Sequence, residues 1–211
     1  MPLAPEECDL VIRGGTVATA AGSAECDIGV SGGKISQIGG ALRGGRQLDA
    51  TGALVLPGAL DMHVHLSPPP HQPGTPTWVD DFGTGSAAAI AGGVTTIGNM
   101  TFPADGESLH DALDRDLGAA RGLAAVDYVL HPVLTSPVSE ALAELPRLAA
   151  AGHLSLKLFM VDEEFESQAE AMIEAVRIAG QHGMLTLIHC EDGALVRFEF
   201  QIGRASCRER V

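Results

Sequence analysis

Leu56-Pro57-Gly58-Ala59-Leu60-Asp61-Met62-His63-Val64-His65-Leu66 is the stretch on which the reading of this chain turns. Leu54, Leu56, Leu60, Met62 and Val64 recur with a period of two, which predicts a buried strand. Successive side chains of a strand point to opposite faces, so His63 and His65 project the same way, with Asp61 one step deeper. Two imidazoles side by side at a strand end suit a divalent cation, because neutral imidazole is the commonest protein metal ligand. The plain alternative is a pair of half-exposed histidines satisfied by hydrogen bonds.

Working outward, strands alternate with helical stretches. Helices are predicted over 81–91, 108–121, 139–151 and 164–181, and strands over 94–100, 126–134, 154–160 and 184–189. Each unit occupies about 30 residues, the spacing of a parallel sheet with crossover helices. The polar residues fall at corresponding places. His63 and His65 end the first strand, Lys157 lies within the fourth and His189 ends the fifth. In a parallel βα barrel the chemistry sits at the C-terminal ends of the strands, so these four are the candidate site. His71, His110, His131, His153 and His182 do not share this placement and are read as surface or capping residues.

Toward the N-terminus the pattern differs. Short strands at 10–12, 16–18, 26–30, 34–38 and 47–49 are separated by glycine pairs at 14–15, 32–33, 39–40 and 44–45, which suggests a small all-β layer. Pro57-Gly58 marks the change of pattern.

Composition bounds the partners. A net charge of −14 argues against nucleic-acid and anionic-membrane binding, which need a basic surface. No apolar run approaches the roughly 20 residues of a membrane span. The four cysteines show no CxxC pair, and residues 1–9 hold three acids and no basic cluster, so a cytoplasmic protein without disulfides or secretory signal is expected. Of thirteen basic residues only Lys34 and Lys157 are lysine. Lys34 stands in a glycine turn. Lys157 stands in the apolar run Leu154-Ser155-Leu156-Lys157-Leu158-Phe159-Met160, where it either snorkels from a strand end or needs a partner.

Taken together, His-x-His after Pro-Gly-x-x-Asp, the lysine of Leu156-Lys157-Leu158-Phe159-Met160 and Ile188-His189-Cys190-Glu191-Asp192-Gly193 resemble the cyclic amidohydrolases. Asp80-Asp81-Phe82-Gly83-Thr84-Gly85 and Ala91-Gly92-Gly93-Val94-Thr95-Thr96 resemble the dihydropyrimidinase or hydantoinase branch, and the resemblance covers about residues 9–197. It implies a metal-dependent α/β TIM barrel, with about five of its eight strands in 58–197 and part of a β-sandwich in 1–57. It implies His63 and His65 as ligands of one divalent ion, zinc by expectation. Lys157, N-carboxylated by CO2, would bridge two ions, and His189 would hold the second. Such a pair polarises a carbonyl and acidifies water. The substrate would be a small cyclic amide, and the assembly a homo-oligomer, a tetramer in the family.

The sequence departs from that pattern. The family's further metal histidine and catalytic aspartate belong to later strands, so the chain reads as C-terminally truncated, with no catalytic residue assigned, and is expected to be inactive alone. Asp162 stands where dihydropyrimidinases carry an oxyanion-binding tyrosine, and Ser67 where dihydroorotases carry an arginine. A non-catalytic relative of the fold, an allantoinase- or dihydroorotase-like enzyme and a mononuclear deacetylase or deaminase are the alternatives. Residues 198–211, with Arg204, Arg208 and Arg210 in an acidic chain, read as a non-native or disordered tail.

Overall fold

A computed structural model describes residues 6–67, 78–161 and 163–199, in two compact units, 1–58 and 59–211. Among the described residues no helix is long and apolar enough to cross a membrane.

In the first unit, β1 (Glu6–Thr19) is the central strand. It pairs antiparallel with β2 (Gly22–Ser31) and parallel with β4 (Leu42–Asp49) and β5 (Leu54–Val55), while β3 (Lys34–Ile38) extends the sheet beyond β2. Two glycine pairs expected to break strands lie inside them. Gly14 takes φ +67°, the left-handed value, and the register with β2 shifts between Ile12 and Gly15, so the pair makes a bulge and β1 continues. Gly44 faces Cys8 within the β1–β4 ladder. Asp27 closes the bulge by accepting from the Gly14 N–H at 3.0 Å and from Arg13 at 2.6 Å.

The second unit alternates strictly. β6 (Ala59–Val64), α1 (Phe82–Ala91), β7 (Val94–Thr101), α2 (Leu109–Leu123), β8 (Asp127–Pro132), α3 (Ser139–Ala150) and β9 (Ser155–Phe159) follow in turn. Then come α4 (Glu163–Ser167), α5 (Ala169–Gln181) and β10 (Leu185–His189). The predicted helix over 164–181 is thus two helices, divided at Gln168. All strand pairs are parallel: β6–β7–β8 form one sheet and β9–β10 another, and a Val133–Lys157 bridge joins them in chain order.

Side-chain chemistry places the helices. Asp81 and Thr84 form a reciprocal capping box at α1, and the Ser108 hydroxyl accepts from the Asp111 N–H at α2. The helices cover one face of the strands, where Ile97, Leu113, Leu130, Leu145, Leu156, Leu158 and Met172 form a single core.

One expectation fails. The strand of the opening motif is not buried: Leu60 is 67% and Met62 39% exposed. Among the described residues β6 pairs only with β7, so its other edge has no neighbour, and hydrophobic alternation reports potential burial rather than achieved burial. A register shift between Asp61 and Val64 also breaks the simple alternation of the motif, and the Asp61 carboxylate accepts from the His63 N–H at 3.1 Å.

Two outcomes test this account. Leu145 is fully buried, so Leu145→Ala should cost about 2–5 kcal/mol in denaturant unfolding of the second unit. In the first unit, the Gly14 N–H and then Arg13 hold the Asp27 carboxyl below its usual value. Its stabilisation is therefore present above the unfolded carboxyl range near pH 3.9 and lost as pH falls through the lower folded value. Asp27→Asn should destabilise the unit by on the order of 1 kcal/mol at pH 7, with the difference from wild type shrinking in acid melts.

Candidate functional site

The ends of β6 and β10 and the middle of β9 bring the four predicted residues close enough for their charges to act on one another. His63 lies near the end of β6, and His65 just beyond it, with ring centroids 5.3 Å apart. His189 is the last residue of β10. Lys157 is the central residue of β9, 2% exposed, opposite Leu187 of β10 and Val133, the residue just past β8. Its ammonium stands 4.6 Å from the centre of the Phe159 ring. Lys157 is therefore neither a surface lysine nor, among the described residues, a member of an ion pair.

Aromatic rings connect these groups. His65 meets Trp78 at 4.6 Å and Phe102 at 5.9 Å; Phe102 meets Phe159 at 5.7 Å, and Phe159 meets His189 at 5.5 Å. Backbone anchors fix this wall. The Leu66 N–H donates to the Asn99 side-chain oxygen at 2.7 Å, holding the chain directly after His65. The Trp78 N–H donates to the Ser67 hydroxyl at 2.6 Å. Behind Phe102, Arg115 donates to the Phe102 carbonyl at 2.9 Å and to Asp116 at 3.0 Å, and pairs with Glu107. Burial raises the Asp116 carboxyl, opposed by Thr101 and by the Arg115 charge.

Electrostatics tie the four together. Burial, then the positive charges of Lys157 and His189, push the His63 imidazole below its usual value, with Asp61 opposing. Burial also lowers His65, followed by His63, Lys157 and His189. Burial lowers the Lys157 amine. The neutral form of both imidazoles, the one with a free lone pair, is therefore favoured. His65 Nδ1 is buried without a hydrogen-bond partner, while His189 Nε2 lies 2.7 Å from Glu191. Imidazoles and an amine on one rim fit a divalent cation in donor type. Among the described residues, no three His, Cys, Asp or Glu side chains are gathered as a metal cluster.

Some predicted residues stand elsewhere. Asp162, His71 and residues 200–211 lie outside the described residues. His110 and His182 are exposed, and His153 is half-buried. His131 corrects the expectation of a surface or capping role: it is 4% exposed, within β8, with Nδ1 2.7 Å from the Ser155 hydroxyl. Its alternation with core residue Leu130 could have placed it on the face opposite the helices. Phe102 was legible as the residue following a strand C-terminus, whereas nothing in the sequence marked Trp78.

Comparison with known proteins gives relatives for the chain as a whole. No family model matches the chain. The D-hydantoinase of Rhizobium radiobacter is 34% identical over 187 residues, covering 88% of this chain and 40% of the relative. The crystal structure of D-hydantoinase from Bacillus sp. AR9 superposes with a TM-score of 0.82 at 34% identity, over 93% of this chain and 43% of that one. The dihydropyrimidinase from Brevibacillus agri NCHU1002 gives 0.79 at 32% identity, with the same coverage. The chain thus spans about two-fifths of the length of the relatives it matches. By sequence and by fold, the chain resembles the cyclic amidohydrolases of the hydantoinase and dihydropyrimidinase branch.

Proposed function

We propose that the polypeptide carrying this sequence hydrolyses the C–N bond of a small cyclic amide of the hydantoin or dihydropyrimidine type. The observation that carries this reading is the convergence of His63, His65, Lys157 and His189 on one rim of a parallel sheet, in a chain similar to hydantoinases. In this reading the five parallel strands belong to a (β/α)8 barrel. His63 and His65 would hold one divalent ion, zinc by choice of imidazole donors, and His189 a second, with Lys157 between them. Bound ions of this kind polarise a carbonyl and lower the pKa of water.

The chain's own residues prepare the site. Burial favours the neutral form of the Lys157 amine, the form whose lone pair attacks CO2; the N–C bond forms, one N–H proton leaves to solvent, and a carboxylate replaces the amine. That exchange would turn a buried amine into an anionic ligand. The lowered values of His63 and His65 keep both as donors instead of protonated cations. Phe102, Phe159 and Trp78 offer flat apolar surface against which a planar ring can stack while water is displaced. Asp162, at the position of an oxyanion-binding tyrosine in this branch, would oppose developing negative charge if ionised, which points to a donor elsewhere or to an unusual ring substituent. A cytoplasmic homo-oligomer is the accompanying proposal.

Titrating the chain with Co(II) tests the site. Visible absorption should saturate, and Lys157→Ala or the double variant H63A/H65A should weaken binding by at least about tenfold. Bicarbonate should strengthen binding in wild type but not in Lys157→Ala, and intact mass should show one added CO2 in wild type alone. Saturation indifferent to both variants would refute the assignment. Ring opening of hydantoin by the full polypeptide, abolished by chelation and restored by zinc, tests the reaction.

A further inference from the structure

Beneath the rim, the strands carry a second, deeper polar pair. Ser155 is two residues before Lys157 on β9 and shares its face, and its hydroxyl lies 2.7 Å from His131 Nδ1. Both side chains are buried, Ser155 at 7% and His131 at 4% exposed. The other edge of the imidazole reaches across β7 toward β6. A Cβ built on Gly98 would stand 2.4 Å from His131 Nε2 and 2.8 Å from both the Cα and the carbonyl oxygen of Met62. Gly98 is therefore the gap through which the ring of β8 meets the backbone of β6, next to His63. Nε2 is buried there facing the Met62 backbone, so the ring's placement is set by Ser155 on one side and by Met62 on the other.

β6 otherwise has few restraints. It pairs on one edge, its register slips between Asp61 and Val64, and most of its side chains are exposed. Yet it carries His63 and leads into His65, which must stand at a fixed height relative to Lys157, two strands away from β7. The ring of His131 spans that interval, anchored one step below the lysine and abutting Met62.

We propose that His131, locked by Ser155, is a positioning residue that spaces β6 against β9, so that His63 and His65 meet a divalent cation held beside Lys157. This rests on the metal-site reading above and adds a residue to it that touches neither cation nor substrate. Reach toward Met62, rather than the Ser155 contact alone, is what the spacing requires. A glutamine places its amide near the Nε2 position, whereas an asparagine reaches only as far as Nδ1.

The test uses the whole chain, Co(II) alone as probe, and urea unfolding beside it. H131N should weaken Co(II) binding by about 10- to 100-fold, the usual range for outer-shell partners, and change the visible band shape. H131Q should retain most of the wild-type affinity and spectrum. Gly98→Ala, which drives a methyl into the same gap, should resemble H131N. Ser155→Ala should give an intermediate loss. A purely structural role would lower unfolding midpoints in both His131 variants without separating their Co(II) spectra, and that result overturns the proposal. If H131N fails to fold, equal Co(II) affinity in H131Q, Gly98→Ala and wild type overturns it as well. The two readings fail separately. Wild type that binds no Co(II) at His63 and His65 removes both, whereas wild-type binding unaffected by His131 and Gly98 removes only this one.

Discussion

A lysine amine sealed between parallel strands is the constraint from which the rest of the second unit follows. Charging it without a partner in that environment would cost several kcal/mol, so burial favours the neutral amine. The face of Phe159 lies 4.6 Å from it, which softens but does not remove the difficulty. The register explains why the group is trapped there. Leu156 and Leu158 occupy the helix-covered core on one face of β9, which commits Ser155, Lys157 and Phe159 to the other. Moving Lys157 to solvent would mean slipping the strand by one residue and exposing two leucines. The core and the chemistry are thus fixed by the same alternation.

Around that amine, the structure spends its polar groups on backbone anchors. Asn99 holds the amide of Leu66, Ser67 that of Trp78, and Arg115 the carbonyl of Phe102. Each anchor ends on a residue flanking or belonging to the wall of rings between His65 and His189. Loops at strand ends lack ladder hydrogen bonds, so side chains reaching from neighbouring elements must supply them. Arg115 does this from α2, with the buried carboxylate of Asp116 and with Glu107 completing its shell. The positions of the rings are therefore properties of α2 and β7 as much as of the loops that carry them.

The imidazoles illustrate how one residue type divides its roles by depth. Protonation of His63 and His65 near the rim is disfavoured by burial and by neighbouring charge. His131, lower in the same interior, is lowered chiefly by burial, with the Met62 backbone pulling the other way. It spends one nitrogen on Ser155 and packs the other against β6. His189 is oriented by Glu191. Placement in the strand, rather than the presence of a histidine, distinguishes a candidate ligand from a spacer.

The sequence by itself determined the alternation of strands and helices after Gly58, the parallel order that follows from 30-residue units, and the four polar residues in or at the ends of the strands. These are local or periodic properties: apolar spacing, the Asp81–Thr84 box, and the unusual lysine in an apolar run. Tertiary structure alone decided the rest. Leu60 and Met62 have the pattern of buried residues, but burial requires a neighbour, and periodicity carries no information about which neighbours are present. The bulges at Gly14 and at Asp61 depend on pairing with another strand, so neither the continuity of β1 nor the orientation of His63 could be read from one strand. His131 looked peripheral because its partners, Ser155 and Met62, lie far from it along the chain and meet it only when four parallel strands stand side by side. Contacts across strands depend on register, and register is a property of the assembled sheet.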